Sequence, residues 1–256
     1  MNNWGRRTLD LVTNQNYLDE LQRVYPHEDA ERDVSEATIN EIRRLFSARD
    51  NAGLLNALLD LEKFPYKDSY VGFLRKDRNA IARNPETVRR ISDRLYSMGI
   101  EGVINGATAP KEANQRRGNQ FGDWMRATFE SVPTEEFRRS TRGIKILSAS
   151  ELEARNFCNT VMGIGIAKRP DIVAKAGRNY VVGEAKFLSS TGGNQGRAFD
   201  DGMHLANNST GSAHKIFILD GIHWIERGSD QFRRIDHSTA AVFSVLLLQQ
   251  FLNELV

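Results

Sequence analysis

Pro170-Asp171 and, after twelve intervening residues, Glu184-Ala185-Lys186 supply two carboxylates and an ammonium that one β-hairpin could gather. Residues 166–175 and 179–187 read as strands joined at Ala176-Gly177-Arg178. Alternation along the second strand puts Glu184 and Lys186 on one face with Tyr180 and Val182. The other face carries Val181, Gly183, Ala185 and Phe187, an apolar set fit to pack against a helix. Two carboxylates, a backbone carbonyl (that of Ala185) and waters make the hard oxygen shell that Mg²⁺ prefers. The chemistry such a set suits is phosphodiester hydrolysis, which needs an attacking water, neutralised phosphoryl oxygens and help for the leaving oxygen. A metal on Asp171 and Glu184 would supply Lewis acidity and lower the pKa of bound water. Lys186 would orient that water and stabilise developing negative charge. The same residue types also suit a structural acid–lysine pair on an exposed sheet face, and by themselves leave both readings open.

The elements that must position these groups change character along the chain. The first half reads as helices. Ser35 can cap a helix carrying Ile39, Ile42, Leu45 and Phe46 at helical spacing, and 51–63 is leucine-rich enough for a mostly buried helix. Asn84-Pro85 opens a further helix with the stripe Val88, Ile91 and Leu95, closed by Gly99. Another helix is expected over 110–129, with Phe121, Trp124, Met125 and Phe129 on one side and Glu112, Arg116, Asn119 and Asp123 on the other. The second half mixes strands and helices: strands at 144–147, 215–220 and 222–226, helices at 150–162 and 199–206, and an apolar C-terminal helix over 239–252 that could serve the core or a subunit interface. The expected architecture is α/β (α+β), a central mixed sheet flanked by helices, with an N-terminal helical region over 1–108 packed on a core over 109–256.

Bulk properties bound the answer without naming it. The 256 residues suffice for one large domain or a domain with a helical annex, and 40% apolar with 27% charged residues is ordinary for a globular protein. No membrane span and no apolar signal core are visible, so a soluble, intracellular (cytoplasmic) protein is expected. The single cysteine, Cys158, excludes an internal disulfide framework and a cysteine-rich zinc site. His204, His214, His223 and His237 lack a metal-binding spacing, and Gly163 and Gly165 lack the third glycine of a dinucleotide fingerprint. A net charge of +2 announces no nucleic-acid partner, although basic residues crowd 67–94 and 111–126.

Beyond the hairpin, longer stretches carry a resemblance. Pro170-Asp171, twelve residues, then Glu184-Ala185-Lys186 resembles the active-site pattern of PD-(D/E)XK type II restriction endonucleases. The run EAKFLSSTGGNQGRAFDD, 184–201, is similar to a segment of one group of these enzymes, in which a Gly-Gly-His/Asn-Gln loop follows the catalytic lysine. APKEANQRRGNQFGDWMR, 109–126, is similar to that group's Pro-Lys-Glu-x-Asn-Arg-Gln-x-Gly-x-x-Phe-x-x-Trp helix, with Arg and Gln exchanged at Gln115-Arg116. The resemblance covers 84–201 with gaps. It implies a restriction-endonuclease-like fold and Mg²⁺-dependent cleavage of double-stranded DNA at a short palindromic site, leaving 5′-phosphate and 3′-hydroxyl ends. It also implies a homodimer, because two-fold protein symmetry matches a two-fold site.

A further acid from a helix before the first catalytic strand is common in such enzymes. Glu112 is the first candidate and Asp123 the second, each of which also reads as a solvated helix charge. The stretch 189–197 leaves the catalytic strand with Gly192 and Gly193, so its backbone can approach a duplex, while Asn194, Gln195 and Arg197 carry groups able to read adenine or guanine edges. A flexible polar loop that only positions phosphates fits those residues too. Arg116, Arg117 and Arg126 suit phosphates, and Asn119 shares their helix. A repair or junction-resolving nuclease with the same hairpin, and a non-catalytic DNA-binding protein, are the competing readings.

Overall fold

The structure, a computed structural model, describes residues 1–26, 32–110 and 113–256, with only the backbone described over 113–116. The chain divides into two compact units, Met1–His27 with Ala113–Val256, and Glu28–Glu112.

Helices α1 (Asn3–Asn14) and α2 (Tyr17–Leu21) belong to the first unit. The second unit is helical: α3 (Glu36–Ser47), α4 (Asn51–Asp60), α5 (Val71–Lys76), α6 (Ala80–Arg83) and α7 (Pro85–Thr108). The Ser35 hydroxyl accepts the Thr38 N–H at 3.2 Å and so caps α3, as its sequence suggests. Pro85 opens α7, and Gly99, at φ 70°, closes its first helical stretch at a kink, beyond which a second stretch runs to Thr108. Leu54, Leu55, Leu58, Ile91, Leu95 and Val103 are sealed from solvent in this unit's own core.

The sheet unit continues with α8 (Ala113–Thr128), β1 (Glu130–Pro133), α9 (Thr134–Arg139), β2 (Ile144–Ser148), α10 (Glu151–Thr160), β3 (Ile172–Ala176) and β4 (Asn179–Leu188). It closes with α11 (Gly193–Ala206), β5 (His214–Gly221), α12 (Asp230–His237), β6 (Ala241–Phe243) and α13 (Leu248–Asn253). The six strands lie in the order β1-β2-β3-β4-β5-β6, with β2–β3 and β3–β4 antiparallel and the other pairs parallel. This is the mixed, helix-flanked sheet that the sequence predicts. Strand parity assigns its two faces. Ile172, Ala174, Val181, Ile216 and Ile218 pack with Tyr17, Leu21, Phe121, Met125 and Phe251. Val173 and Val182 pack with Phe157 of α10, and Phe217 and Leu219 pack with Phe199 and Met203 of α11.

Three local expectations give way, each for a physical reason. The first strand of the hairpin starts at Ile172 rather than near 166, because Gly163 and Gly165 hold positive φ and Pro170 has no N–H to donate to a ladder. Residues 222–224 form a 3₁₀ turn instead of a strand: Gly221 sits at φ 104° and the Trp224 indole N–H donates back to the Leu219 carbonyl at 2.7 Å. The apolar run expected as a helix over 239–252 begins as β6, pairing with Ile216, Phe217 and Ile218, and becomes α-helical only at Leu248. A short apolar run has no period that separates a buried strand from a buried helix. Helices α1 and α2 pack on the sheet, with the Trp4 ring 5.5 Å from Phe243 and 5.3 Å from Phe251.

Candidate active site

The β3–β4 pairing stops at Ile172↔Gly183. Close packing fixes that end of the hairpin, since a Cβ on Gly183 would stand 2.6 Å from Ile216 Cγ1 and 2.9 Å from the Ile216 carbonyl. Past it, the edge of β4 is served by a side chain: Asp171, just before β3, accepts the Ala185 N–H at 2.9 Å through Oδ2. In an extended strand the N–H and C=O of a residue point to the same side, so the Ala185 carbonyl is directed to the Asp171 edge as well.

Lys186 ties the two acids together. Its Nζ lies 2.5 Å from Asp171 Oδ2 and 2.8 Å from Glu184 Oε2. Glu184 is only 3% exposed, whereas the Asp171 side chain is 38% exposed, so one carboxylate is anchored and the other faces the opening. Burial and the neighbouring Asp171 push the Glu184 carboxyl above its usual range, against the pull of Lys186 and Lys168. Burial also acts to lower the Lys186 pKa, but Asp171 and Glu184 outweigh it and hold the ammonium above its ordinary value. The sequence-predicted trio is therefore brought together at hydrogen-bond distance.

The donors present fit a hard divalent ion: two carboxylates and a strand carbonyl on one open edge. Among the described residues no group of three or more His, Cys, Asp or Glu side chains could hold a metal, so such an ion would draw the rest of its shell from water or substrate oxygens.

Two residues that the sequence did not single out join the cluster. Lys168 places its Nζ 3.3 Å from Glu184 Oε2 and 3.6 Å from Asp201 Oδ2, and Asp201 lies on α11. A lysine three positions before Asp171 carries no strand-parity signal, and only the fold of 161–171 turns it inward.

Comparison with protein families matches residues 2–255 to the Tsp45I type II restriction enzyme family. The chain belongs to this family. Comparison with curated proteins and with solved structures finds no match. The family match takes in the first eighty residues and the C-terminal segment, where no motif resemblance is legible, and it makes the protein a DNA-cleaving hydrolase of the restriction type. No helix among the described residues is long and apolar enough to cross a membrane.

For a restriction enzyme the polar residues around the cluster matter next. Gly192 is the N-cap of α11, so Asn194 and Gln195 lie in its first turn rather than in a loop. Asn194 and Arg197 are exposed. Gln195 is not: its Oε1 accepts the N–H groups of Ser189 and Ser190 at 2.7 and 2.9 Å, and its Nε2 donates to Ser189 Oγ. Its amide thus braces the turn leaving β4. Arg117 of α8 lays its guanidinium over the Phe187 ring at 3.6 Å, on the sheet face opposite Lys186. Asn119 is exposed, and Arg126 pairs with Asp123 at 2.5 Å. Glu112 lies outside the described residues, as does the side chain of Arg116.

Behind the site, β5 ends in a buried acid absent from the sequence expectations. Asp220 accepts hydrogen bonds from Tyr17 Oη at 2.9 Å and Ser244 Oγ at 2.6 Å on one oxygen, and from Tyr25 Oη and the Val245 N–H on the other. It pairs in register with Phe187 and so anchors α1–α2 and the C-terminal segment to the strand beside β4.

Proposed function

We propose that this restriction enzyme is a Mg²⁺-dependent endonuclease of the PD-(D/E)XK type, cutting double-stranded DNA at a short palindromic site to leave 5′-phosphate and 3′-hydroxyl ends. The observation that carries the reading is the convergence of Asp171, Glu184 and Lys186 on the open edge of β4, with both ammonium contacts at 2.8 Å or less.

Asp171, Glu184 and the Ala185 carbonyl would hold the divalent ion. When bound, that ion supplies Lewis acidity to the phosphoryl oxygens and acidifies a water. Lys186, a donor with no acceptor capacity, orients the attacking water and stabilises the charge that develops on the phosphoryl group. Glu184, fixed in the wall of the site, keeps the Lys186 ammonium aimed, and the more exposed Asp171 adapts to what enters. Glu112, with Asp123 as its alternative, is the helix acid of this proposal. Arg116, Arg117, Asn119 and Arg126 on α8 are assigned to phosphates. Asn194 and Arg197 at the start of α11 are assigned to base edges, with Gln195 ordering the turn that presents them. A homodimer matches a palindromic site, each protomer cutting one strand.

Incubating the protein with plasmids of known sequence tests the proposal. Discrete, reproducible fragments that require Mg²⁺ and vanish with a chelator are expected. Intact plasmids across several unmodified DNAs, or cutting that ignores the chelator, would overturn it.

A further inference from the structure

The segment that carries Lys168 is held on both sides. Asn159 exchanges two hydrogen bonds with the backbone of Ile166, at 2.8 and 2.9 Å. The Arg169 guanidinium donates to the Ala149 carbonyl at 2.9 Å, and Pro170 is buried. The Cα of Lys168 is therefore fixed, and its four-carbon stem is the movable part. That stem is 56% exposed, against 23% for Lys186. Both ammoniums meet the same oxygen, Glu184 Oε2, but Lys168 stands at 3.3 Å where Lys186 stands at 2.8 Å. Of the two, Lys168 is held more loosely. It occupies the gap between Glu184 and Asp201, where a cation is favoured while no divalent ion is bound.

The charges around the site do not cancel. Three carboxylates (Asp171, Glu184 and Asp201) and two ammoniums leave one net negative charge. A divalent ion on Asp171 and Glu184 reverses that sign, and Lys168 then faces a cation across a shared oxygen. A DNA phosphate entering beside the ion offers the ammonium a better partner.

We propose that Lys168 is a displaceable cation: it braces Glu184 to Asp201 in the metal-free protein and transfers to a DNA phosphate beside the scissile bond once a divalent ion takes Glu184. Metal binding and DNA binding are thereby coupled through one side chain. This inference rests on the nuclease reading above.

The test uses the full chain and K168M, K168Q and K168R, checked for native circular dichroism. With Mn²⁺ alone, followed by electron paramagnetic resonance, K168M binds the ion about three- to fivefold more tightly than wild type, the worth of one partly exposed ion pair. With a duplex of the sequence that wild type cuts, binding is measured against salt in Ca²⁺ and in EDTA. In Ca²⁺ the slope of log K against log salt is shallower by about one for K168M, the signature of one lost phosphate contact. In EDTA the slopes coincide, and K168R restores the Ca²⁺ slope. K168Q carries the same readouts should K168M fold poorly. Unchanged or weaker Mn²⁺ binding, equal slopes in Ca²⁺, or an equal loss in EDTA would each overturn the inference. If wild type cuts no plasmid, the nuclease reading falls; if wild type cuts and K168M behaves like it, only this inference falls.

Discussion

At the scale of single residues, the site depends on which group is anchored and which is free. Glu184 is sealed in the wall and Lys186 bridges it to Asp171, so removing the bridge should cost chemistry more than binding. K186A is expected to lower the cleavage rate by about a hundred- to a thousandfold, the usual effect of deleting one charge-stabilising donor, with DNA affinity largely kept. Single-turnover cleavage alongside a binding assay checks this, and a loss of binding that matches the loss of rate would count against it. Gln195 makes a separate case. Its amide is spent on Ser189 and Ser190, so Q195A should accelerate hydrogen exchange at those two amides and lower cleavage by loosening the turn. Unchanged protection there would contradict the bracing role. Strand parity made Glu184 and Lys186 legible from sequence, because a period of two leaves no choice of face. Lys168, Asp201 and the bracing by Gln195 were not legible, because each depends on where a loop or a helix is placed in three dimensions.

At the scale of elements, the open edge of β4 exists because β3 stops at Ile172 and because Gly183 lets β5 lie close. G183A inserts a methyl against Ile216 with no room for it and should cost about 1–3 kcal/mol, read by denaturant unfolding. Cleavage should fall further than stability explains, since Glu184 is the next residue. A neutral G183A would mean that β4 and β5 separate more easily than the packing implies. The hairpin was readable because its two strands alternate and meet at Gly177. β6 was not, because an apolar run suits either a strand or a helix. Lys175 shows the limit from the other side: it lies in the same hairpin, yet is buried with its Nζ on the Arg138 carbonyl at 2.8 Å, closing α9. Residue type alone does not separate it from Lys186.

At the scale of the whole molecule, two buried groups act on stability in opposite directions as pH changes. Burial pushes Asp220 from 3.8 to about 6. Its folded pKa lies above the unfolded one, so its contribution is present at low pH and lost as pH rises from about 4 through 6, a difference of about 3 kcal/mol. His223 is buried, stacked on Phe199, and neither ring nitrogen has a hydrogen-bond partner among the described residues; burial lowers its pKa below 6.5. Its contribution is present above pH 6.5 and lost as pH falls below it. D220N should therefore flatten the stability profile between pH 4 and 6, while facing an amide to four donors and costing about 1–3 kcal/mol at neutral pH. H223F should remove the acid-side loss. Urea unfolding at stepped pH distinguishes them, and identical profiles for wild type and both variants would refute the assignment. None of this could be read from composition, because an aspartate at the end of a strand signals a turn until Tyr17, Tyr25 and Ser244 are seen to enclose it.

The measurement that bears most directly on the whole account is a paired digestion of one plasmid in Mg²⁺ by wild type and D171N. Wild type is predicted to give discrete fragments with 5′-phosphate ends, and D171N to cut at least about a thousandfold more slowly while still binding the same DNA. Equal cutting by the two proteins would contradict the assignment of Asp171, Glu184 and Lys186 as the catalytic centre.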